Sequence, residues 1–222
     1  MDTAADDSVR ARWTRLRGDP RAFRAFWTGW LLLLLCFGVA NRAGIYATEM
    51  AGPPVGDLIL DHIPTLDLTV LHVTVAIGFW LGVVAWILRH PQAHAFTTRA
   101  FAVLLVVRSF FISVTHLGPP PNMLKVEGAF ASLFLFTGDL FFSGHVGAPL
   151  LLALLFWHRP AVRWTGIAAA VFFAPVVLLA HVHYSIDVFG AVPMVWAIFE
   201  ASCRLFPYER AQLLGRSTVS GR

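Results

Sequence analysis

Long apolar runs separated by proline-containing turns are the feature that most constrains how this sequence can fold. Several runs approach the roughly 20 residues that an α-helix needs to cross a bilayer. Of the 222 residues, 57% are hydrophobic and only 14% are charged, whereas a soluble domain carries about 25% charged residues. The mean hydropathy is +0.68. These features predict an all-α, multi-pass integral membrane protein.

Turn signals divide the apolar sequence into six predicted transmembrane helices in a single bundle. Proline-containing turns separate the first five runs, and such segments end helices. The predicted spans are 26–45, 67–88, 99–117, 140–157, 164–181 and 184–205. A basic segment, 1–25, precedes the transmembrane domain, 26–205, and a tail, 206–222, follows it. Residues 129–137 could belong either to the fourth span or to an interfacial helix.

The distribution of cationic residues predicts the orientation of the chain. Fourteen of the 17 Lys and Arg residues fall in the terminal segments or in the connections near 89–99 and 159–163. The opposite connections carry only Arg42 and Lys125. Because positive residues concentrate on the cytoplasmic side, both termini are predicted to be cytoplasmic. The net charge of +4 follows from this distribution and does not indicate a nucleic-acid partner. The preference for arginine over lysine suggests a bacterial inner membrane.

Ionisable residues occur at the non-cytoplasmic ends of the predicted helices. On a helix, His183 and Asp187 would share a face because they are four residues apart. The carboxylate could then hold the Nδ1 proton and leave Nε2 as a nucleophile or base. His145 comes from another helix, where Ser143 and Gly144 would let backbone N–H groups approach an anion. Two histidines and a carboxylate are the parts needed for phosphoryl transfer through a phosphohistidine.

Other polar residues could support this predicted site. Asp139 and Glu127 could each orient His145, bind a cationic headgroup, or be solvated loop acids. Arg108 is too deep for a solvated charge and is predicted to pair with a carboxylate or a substrate phosphate. Tyr184 could line the headgroup site. His72 is interpreted as a packing residue of the second span.

The sequence contains two specific segments, Gly138-Asp139-x-x-Phe142-Ser143-Gly144-His145 and His183-Tyr184-Ser185-x-Asp187-Val188. With two further segments upstream, they resemble motifs of the sphingomyelin synthase family, a branch of the type-2 phosphatidic acid phosphatase superfamily. Upstream, Pro53-Pro54-Val55-Gly56-Asp57 followed by Asp61-His62 is similar to the proline-rich first motif, and Arg108-x-x-Phe111-x-x-x-Thr115 resembles the third-span motif. The segments occur in the family's order within 53–190.

The resemblance implies transfer of a phospho-headgroup from a glycerophospholipid to ceramide on the exoplasmic or periplasmic side, without a metal or another cofactor. By motif position, His183 would be the nucleophile, Asp187 its orienting partner, and His145 the acid and then the base. The sequence departs from the family where Thr137 replaces a frequent cysteine and Val146 replaces the usual threonine. These departures leave open both the donor headgroup and whether ceramide or diacylglycerol is the acceptor.

Two other functions remain compatible with the residues. With water as the acceptor, the same histidines and aspartate would give a lipid phosphatase or a phospholipase C-like hydrolase. A small transporter or channel would instead use the ionisable residues along an ion path, although their location at helix ends disfavours this alternative. The sequence makes no prediction of oligomeric state.

Overall fold

The computed structural model describes residues 8–123 and 137–215, and within these ranges the secondary structure is entirely helical. Eight α-helices and two short 3₁₀ helices follow one another along the described chain. The α-helices are α1 (Val9–Gly18), α2 (Pro20–Glu49), α3 (Thr69–Leu88), α4 (His94–Thr115), α5 (Gly144–Leu155), α6 (Pro160–Leu179), α7 (Ser185–Leu205) and α8 (Pro207–Leu213), and the 3₁₀ helices are Leu60–His62 and Pro91–Ala93.

Five of these helices are long and apolar enough to cross a membrane. They are α2, α3, α4 together with the 3₁₀ turn before it, α6 and α7. Their number and composition agree with the predicted class, an all-α integral membrane protein. The arrangement with six spans stays a prediction, because the helix found in the fourth predicted span is shorter than the others.

That shorter helix, α5, corrects the predicted span 140–157. It has 12 residues, which is about 18 Å of helix, compared with about 30 Å for the apolar core of a bilayer. Residues 140–143 are not helical, because the Ser143 N–H donates to the Asp187 carbonyl at 2.9 Å instead of continuing a helix. Most of α5 is buried, since the helix packs against both α6 and α7.

The first long helix, α2, begins earlier than the sequence predicted. Pro20 occupies its first position, and the Asp19 carboxylate accepts hydrogen bonds from the N–H groups of Arg21 and Ala22 at 2.9 and 3.1 Å. Proline at the first position and aspartate at the cap are both favourable at a helix start. The helix therefore has 30 residues and extends beyond the apolar run 26–45 at both ends.

Both terminal helices pack at the same end of the bundle. From α1, the Trp13 indole N–H donates to the Leu88 carbonyl at the end of α3 at 3.0 Å. From α8, Glu209 lies 3.5 Å from Arg99 near the start of α4. The opposite end contains the starts of α3, α5 and α7, so the residues at those helix starts face a common region.

The segment between α2 and α3 crosses this opposite end and is fixed there by backbone contacts. The Gly52 N–H donates to the His116 carbonyl at 3.0 Å, and the Leu66 N–H donates to the Leu179 carbonyl at 2.8 Å. Gly118 lies so close to the backbone of Gly52 that a Cβ atom would not fit. The segment is thereby held against the ends of α4 and α6.

Candidate active site

Three residues predicted to form the site lie in one chain of contacts. His183 Nδ1 is 3.3 Å from Asp187 Oδ2, and His183 Nε2 is 3.4 Å from His145 Nδ1. Asp187 is fully buried, His183 is 3% exposed and His145 is half-buried. The contacts therefore run from the buried Asp187 carboxylate, through the His183 ring, to the partly exposed His145 ring.

The contact between His183 and Asp187 arises at a helix start rather than on a helix face. His183 lies outside α7, which begins at Ser185, and Asp187 is the third residue of that helix. The same carboxylate oxygen also accepts the Tyr184 N–H at 2.9 Å. A negative charge in the first turn is favourable beside the positive end of the helix dipole. The spacing of four residues thus predicted the pair, but not this geometry.

The contacts suit one arrangement of the protons. An ionised Asp187 only accepts hydrogen bonds, which matches a proton on His183 Nδ1 and a lone pair on its Nε2. A proton on His145 Nδ1 would complete the contact between the two rings. His145 would then carry a proton beside Nε2 of His183.

Arg108 from α4 forms a bidentate ion pair beside these residues. Its Nη2 and Nη1 atoms lie 2.8 and 3.4 Å from the two carboxylate oxygens of Asp139, and its Nε donates to the Phe142 carbonyl at 2.7 Å. A Cβ atom on Gly144 would lie 3.2 Å from the guanidinium carbon, so glycine allows this close approach. Asp139 therefore contacts Arg108, and the guanidinium lies against Gly144, the residue that precedes His145.

The start of α5 is suited to binding an anion. Ser143 immediately precedes the helix, and its hydroxyl is buried without a hydrogen-bond partner among the described residues. The first N–H groups of a helix have no acceptor within the helix, and the dipole favours negative charge there. With the Arg108 guanidinium against Gly144, this helix start combines several donors near His145.

Tyr184 connects two loops to the start of α7. Its hydroxyl donates to the Gly118 carbonyl at 3.0 Å and accepts the Val55 N–H at 3.1 Å. The ring is 1% exposed and packs with Leu60 and Leu140. The ring is enclosed by these loops, whereas the sequence suggested that it could line a headgroup site.

Asp57 is a supporting residue whose contacts the sequence did not reveal. Its Oδ2 accepts the Ser185 N–H at the start of α7 at 2.7 Å, and its Oδ1 accepts the N–H groups of Ile59 and Leu60 at 2.9 and 3.1 Å. Burial alone would raise the pKa of Asp57, but these hydrogen bonds outweigh it and the pKa is lowered. The sequence signal that could have found this residue was an aspartate in the proline-rich segment. Such a carboxylate can accept from the N–H groups at a helix start, which have no acceptor within the helix.

His72 also reaches the site, although the sequence suggested only a packing role. Its ring centroid is 4.4 Å from that of His145, with an angle of 66° between the rings. The side chain projects from the first turn of α3 and His72 is 5% exposed. The sequence signal that could have revealed this role was the position of His72 at the start of the second predicted span. Successive spans run in opposite directions, so the starts of the second, fourth and sixth spans lie at the same end of the bundle.

Two sequence predictions concern residues outside the described ranges. Glu127 lies within 124–136, and so does nearly all of 129–137, whose assignment to a span or an interfacial helix therefore stays open.

His181 lies within the described ranges, and its Nδ1 lies 3.1 Å from the Pro121 carbonyl oxygen. It thus contacts the loop that follows α4.

Comparisons with known proteins find two similarities. Residues 137–203 match the family described as PAP2 superfamily C-terminal, a range that contains Asp139, His145, His183 and Asp187. The chain is also 27% identical over 202 residues to Sphingomyelin synthase-related 1 of Caenorhabditis elegans, with 76% of this chain and 40% of that protein covered. The chain thus spans well under half the length of this relative. No solved structure matches the present chain.

The two matches support a sphingomyelin synthase-like member of the PAP2 superfamily. This agrees with the resemblance of its motifs, and the apolar helices agree with a membrane protein.

Proposed function

We propose that this protein transfers a phospho-headgroup from a glycerophospholipid to ceramide and releases diacylglycerol. The observation that carries the proposal is the chain of contacts from Asp187 through His183 to His145, next to the Arg108 guanidinium. In this proposal, a nucleophilic nitrogen, a proton donor and a cation would act on one phosphate. The similarity to a sphingomyelin synthase-related protein supports this choice among lipid phosphotransferases and phosphatases.

In the first step, Nε2 of His183 attacks phosphorus and a P–N bond forms. The bond from phosphorus to the diacylglycerol oxygen breaks, and His145, which enters this step as an imidazolium, gives one proton to that oxygen and becomes neutral. Asp187 stabilises the positive charge that develops on the His183 ring. Substrate must enter between the two imidazoles, because the lone pair of His183 is engaged by His145 in the free protein.

In the second step, the ceramide hydroxyl oxygen attacks phosphorus and the P–N bond breaks. His145, now neutral, takes the hydroxyl proton, so both histidines return to their initial states. General acid and base steps of this kind typically contribute about 10²- to 10⁴-fold to the rate. If water replaces ceramide, the same steps give hydrolysis.

The anion-binding features have a role in both steps. The phosphate would bind at the start of α5, where backbone N–H groups and the Ser143 hydroxyl can donate to its oxygens. Arg108 would stabilise the charge that gathers on those oxygens, while Asp139 holds the guanidinium in place. Glu127 remains a candidate for contact with a cationic headgroup.

We further propose six spans, with α5 as the fourth, and both termini in the cytoplasm. The support is the packing of α1 and α8 at one end of the bundle, where most of the cationic residues also lie. The candidate site would then face the exoplasmic or periplasmic side, with 26–205 as the catalytic domain between two cytoplasmic segments. A bacterial inner membrane is the proposed location.

A lipid-product assay tests the proposed function. Purified protein is incubated with vesicles of phosphatidylcholine or phosphatidylethanolamine, with and without ceramide, and the lipids are identified by mass spectrometry. We expect diacylglycerol and a ceramide phospho-headgroup product in equal amounts, absent in His183→Ala. His158→Ala is the matched control, because His158 is exposed at the opposite end of the bundle. Diacylglycerol with a free phospho-headgroup would indicate a hydrolase, and no product would contradict both reactions.

A further inference from the structure

We propose that His72 is a positioning residue that fixes the ring of His145 for proton transfer. The inference rests on the proposed function and extends it to a helix, α3, that carries none of the motif residues assigned above. It assigns a purpose to a buried polar side chain that the reaction itself does not use.

The geometry restricts the His145 ring from several directions. His72 contacts it edge to face with centroids 4.4 Å apart, and Phe173 from α6 lies 6.1 Å away. Phe173 is also 5.9 Å from His72, so the three rings form one cluster. On the remaining side, His145 Nδ1 faces His183 Nε2 at 3.4 Å. Rotation of His145 about its side-chain bonds would break this last contact or collide with the cluster.

His72 occupies the place where α3 joins the site. It is the one residue of α3 that is buried, while an aliphatic neighbour such as Val70 is 80% exposed. A histidine is a costly residue to bury in an apolar helix, and here its ring lies against the proposed proton donor. The contact joins α3 to the start of α5 and to the second half of α6, at the depth where the proton must move.

The role of His72 is steric, since the ring packs on His145 and does not touch the reacting atoms of the proposed reaction. Loss of the ring should leave His183 and Asp187 intact but let His145 turn away. A displacement of about 1 Å can cost about 10²-fold in rate. The effect should therefore appear only in steps that need a proton from His145.

Two donors separate these steps in the experiment. With phosphatidylcholine and ceramide, we expect His72→Ala to lower kcat about 10- to 100-fold with KM changed less than about twofold. With p-nitrophenyl phosphocholine, whose leaving group needs no proton, the first-turnover release of p-nitrophenol should stay within about threefold of wild type. His72→Phe, which keeps an aromatic ring, should retain most of the lipid activity. His158→Ala again serves as the control.

A double-mutant cycle separates positioning from a general loss of structure. Because His72 acts through His145, adding His72→Ala to His145→Ala should cause no further loss. A further loss, a slowed p-nitrophenol release in His72→Ala, or a His72→Phe variant as impaired as His72→Ala would overturn the inference while the proposed function stands. A wild-type protein with neither transfer nor p-nitrophenol release would defeat the proposed function, and the inference with it.

Discussion

One carboxylate oxygen of Asp187 serves both the His183 ring and the Tyr184 N–H. This oxygen therefore fixes the tautomer of the histidine and the backbone that carries it. Asp187→Asn retains the shape of the side chain but loses the negative charge. An amide can also donate to Nδ1, which would leave the proton of His183 on Nε2, where the lone pair is needed.

We expect Asp187→Asn to lower kcat about 10²- to 10⁴-fold, because the wrong tautomer removes the nucleophile. The measurement is the initial rate of ceramide product formation at saturating donor. Thermal unfolding of the same preparation serves as a control for folding. A variant with kcat near that of wild type would contradict the role given to Asp187.

Arg108 is the second residue whose replacement gives a clear expectation. Arg108→Leu removes the cation and leaves Asp139 unpaired, so we expect a loss of at least about 100-fold in kcat/KM. Arg108→Lys should retain more activity, since the charge remains but the bidentate fork is lost. Arg42→Leu is the matched control. Arg42 is exposed, and it lies about as far from the end of α2 as Arg108 lies from the end of α4. Full activity in Arg108→Leu would exclude a role in phosphate binding.

At the residue scale, the sequence predicted pairs that are close along the chain better than pairs that depend on packing. His183 and Asp187 are four residues apart, so local spacing alone brought them together. The contacts between His72 and His145, and between Arg108 and Asp139, join different elements. Their partners depend on how the helices pack, which spacing does not determine.

The start of α7 is the element on which the candidate site depends most. Asp57 binds its first N–H group from another segment of the chain, and the pKa of Asp57 is lowered because hydrogen bonds outweigh burial. A lowered pKa in the folded state means that Asp57 contributes stability above its unfolded-state pKa of about 3.9. The contribution is lost as the pH falls through the folded-state value.

We therefore expect Asp57→Asn to reduce the free energy of unfolding by about 1–3 kcal/mol near pH 7. The difference from wild type should shrink as the pH is lowered below about 4, because Asp57 of the unfolded chain is then protonated, and it should vanish once the folded-state Asp57 is protonated as well. Unfolding of the detergent-solubilised protein from pH 3 to pH 7 measures both effects. Glu200→Gln, at the opposite end of the bundle, should change little. A difference that does not depend on pH would refute the assigned role.

At the element scale, the long apolar runs predicted every long helix, but not all of their ends. The apolar run before α5 gave no sign that 140–143 would leave the helix to meet the start of α7. The start of α2 was missed for a different reason. Asp19 and Pro20 form a helix start within a basic segment, and hydropathy does not detect such a cap.

For the whole molecule, the orientation of the bundle in the membrane is the main prediction. Leu58 is 83% exposed at the end that holds the candidate site, and His158 is exposed at the opposite end. Both native cysteines, Cys36 and Cys203, are buried, which limits background labelling. These positions allow a direct test with single added cysteines.

In intact cells, we expect a membrane-impermeant maleimide to label Leu58→Cys and not His158→Cys. After permeabilisation, both should react. The physical reason is the excess of cationic residues at the end that contains His158, which should keep that end in the cytoplasm. Labelling of His158→Cys alone in intact cells would reverse the proposed orientation.

The class of the whole molecule was accessible from the sequence because the helices need only apolar length. Its sidedness was inferred from charge alone, and the packing of the two terminal helices at one end is consistent with that inference. The extent of the fourth span was not accessible, since α5 is enclosed by other helices and need not match the bilayer by itself.

The tie between Asp57 and Ser185 has a consequence for biosynthesis. The two residues are 128 positions apart, and the Val55–Tyr184 contact spans 129. A chain still leaving the ribosome with only its first four long helices, α2, α3, α4 and α6, carries His145 and Arg108, but not the proposed nucleophile or its carboxylate. Insertion of the last long helix supplies both at once and closes the loop around them. On the proposed mechanism, a nascent chain is therefore inert towards the surrounding lipids until α7 has been made.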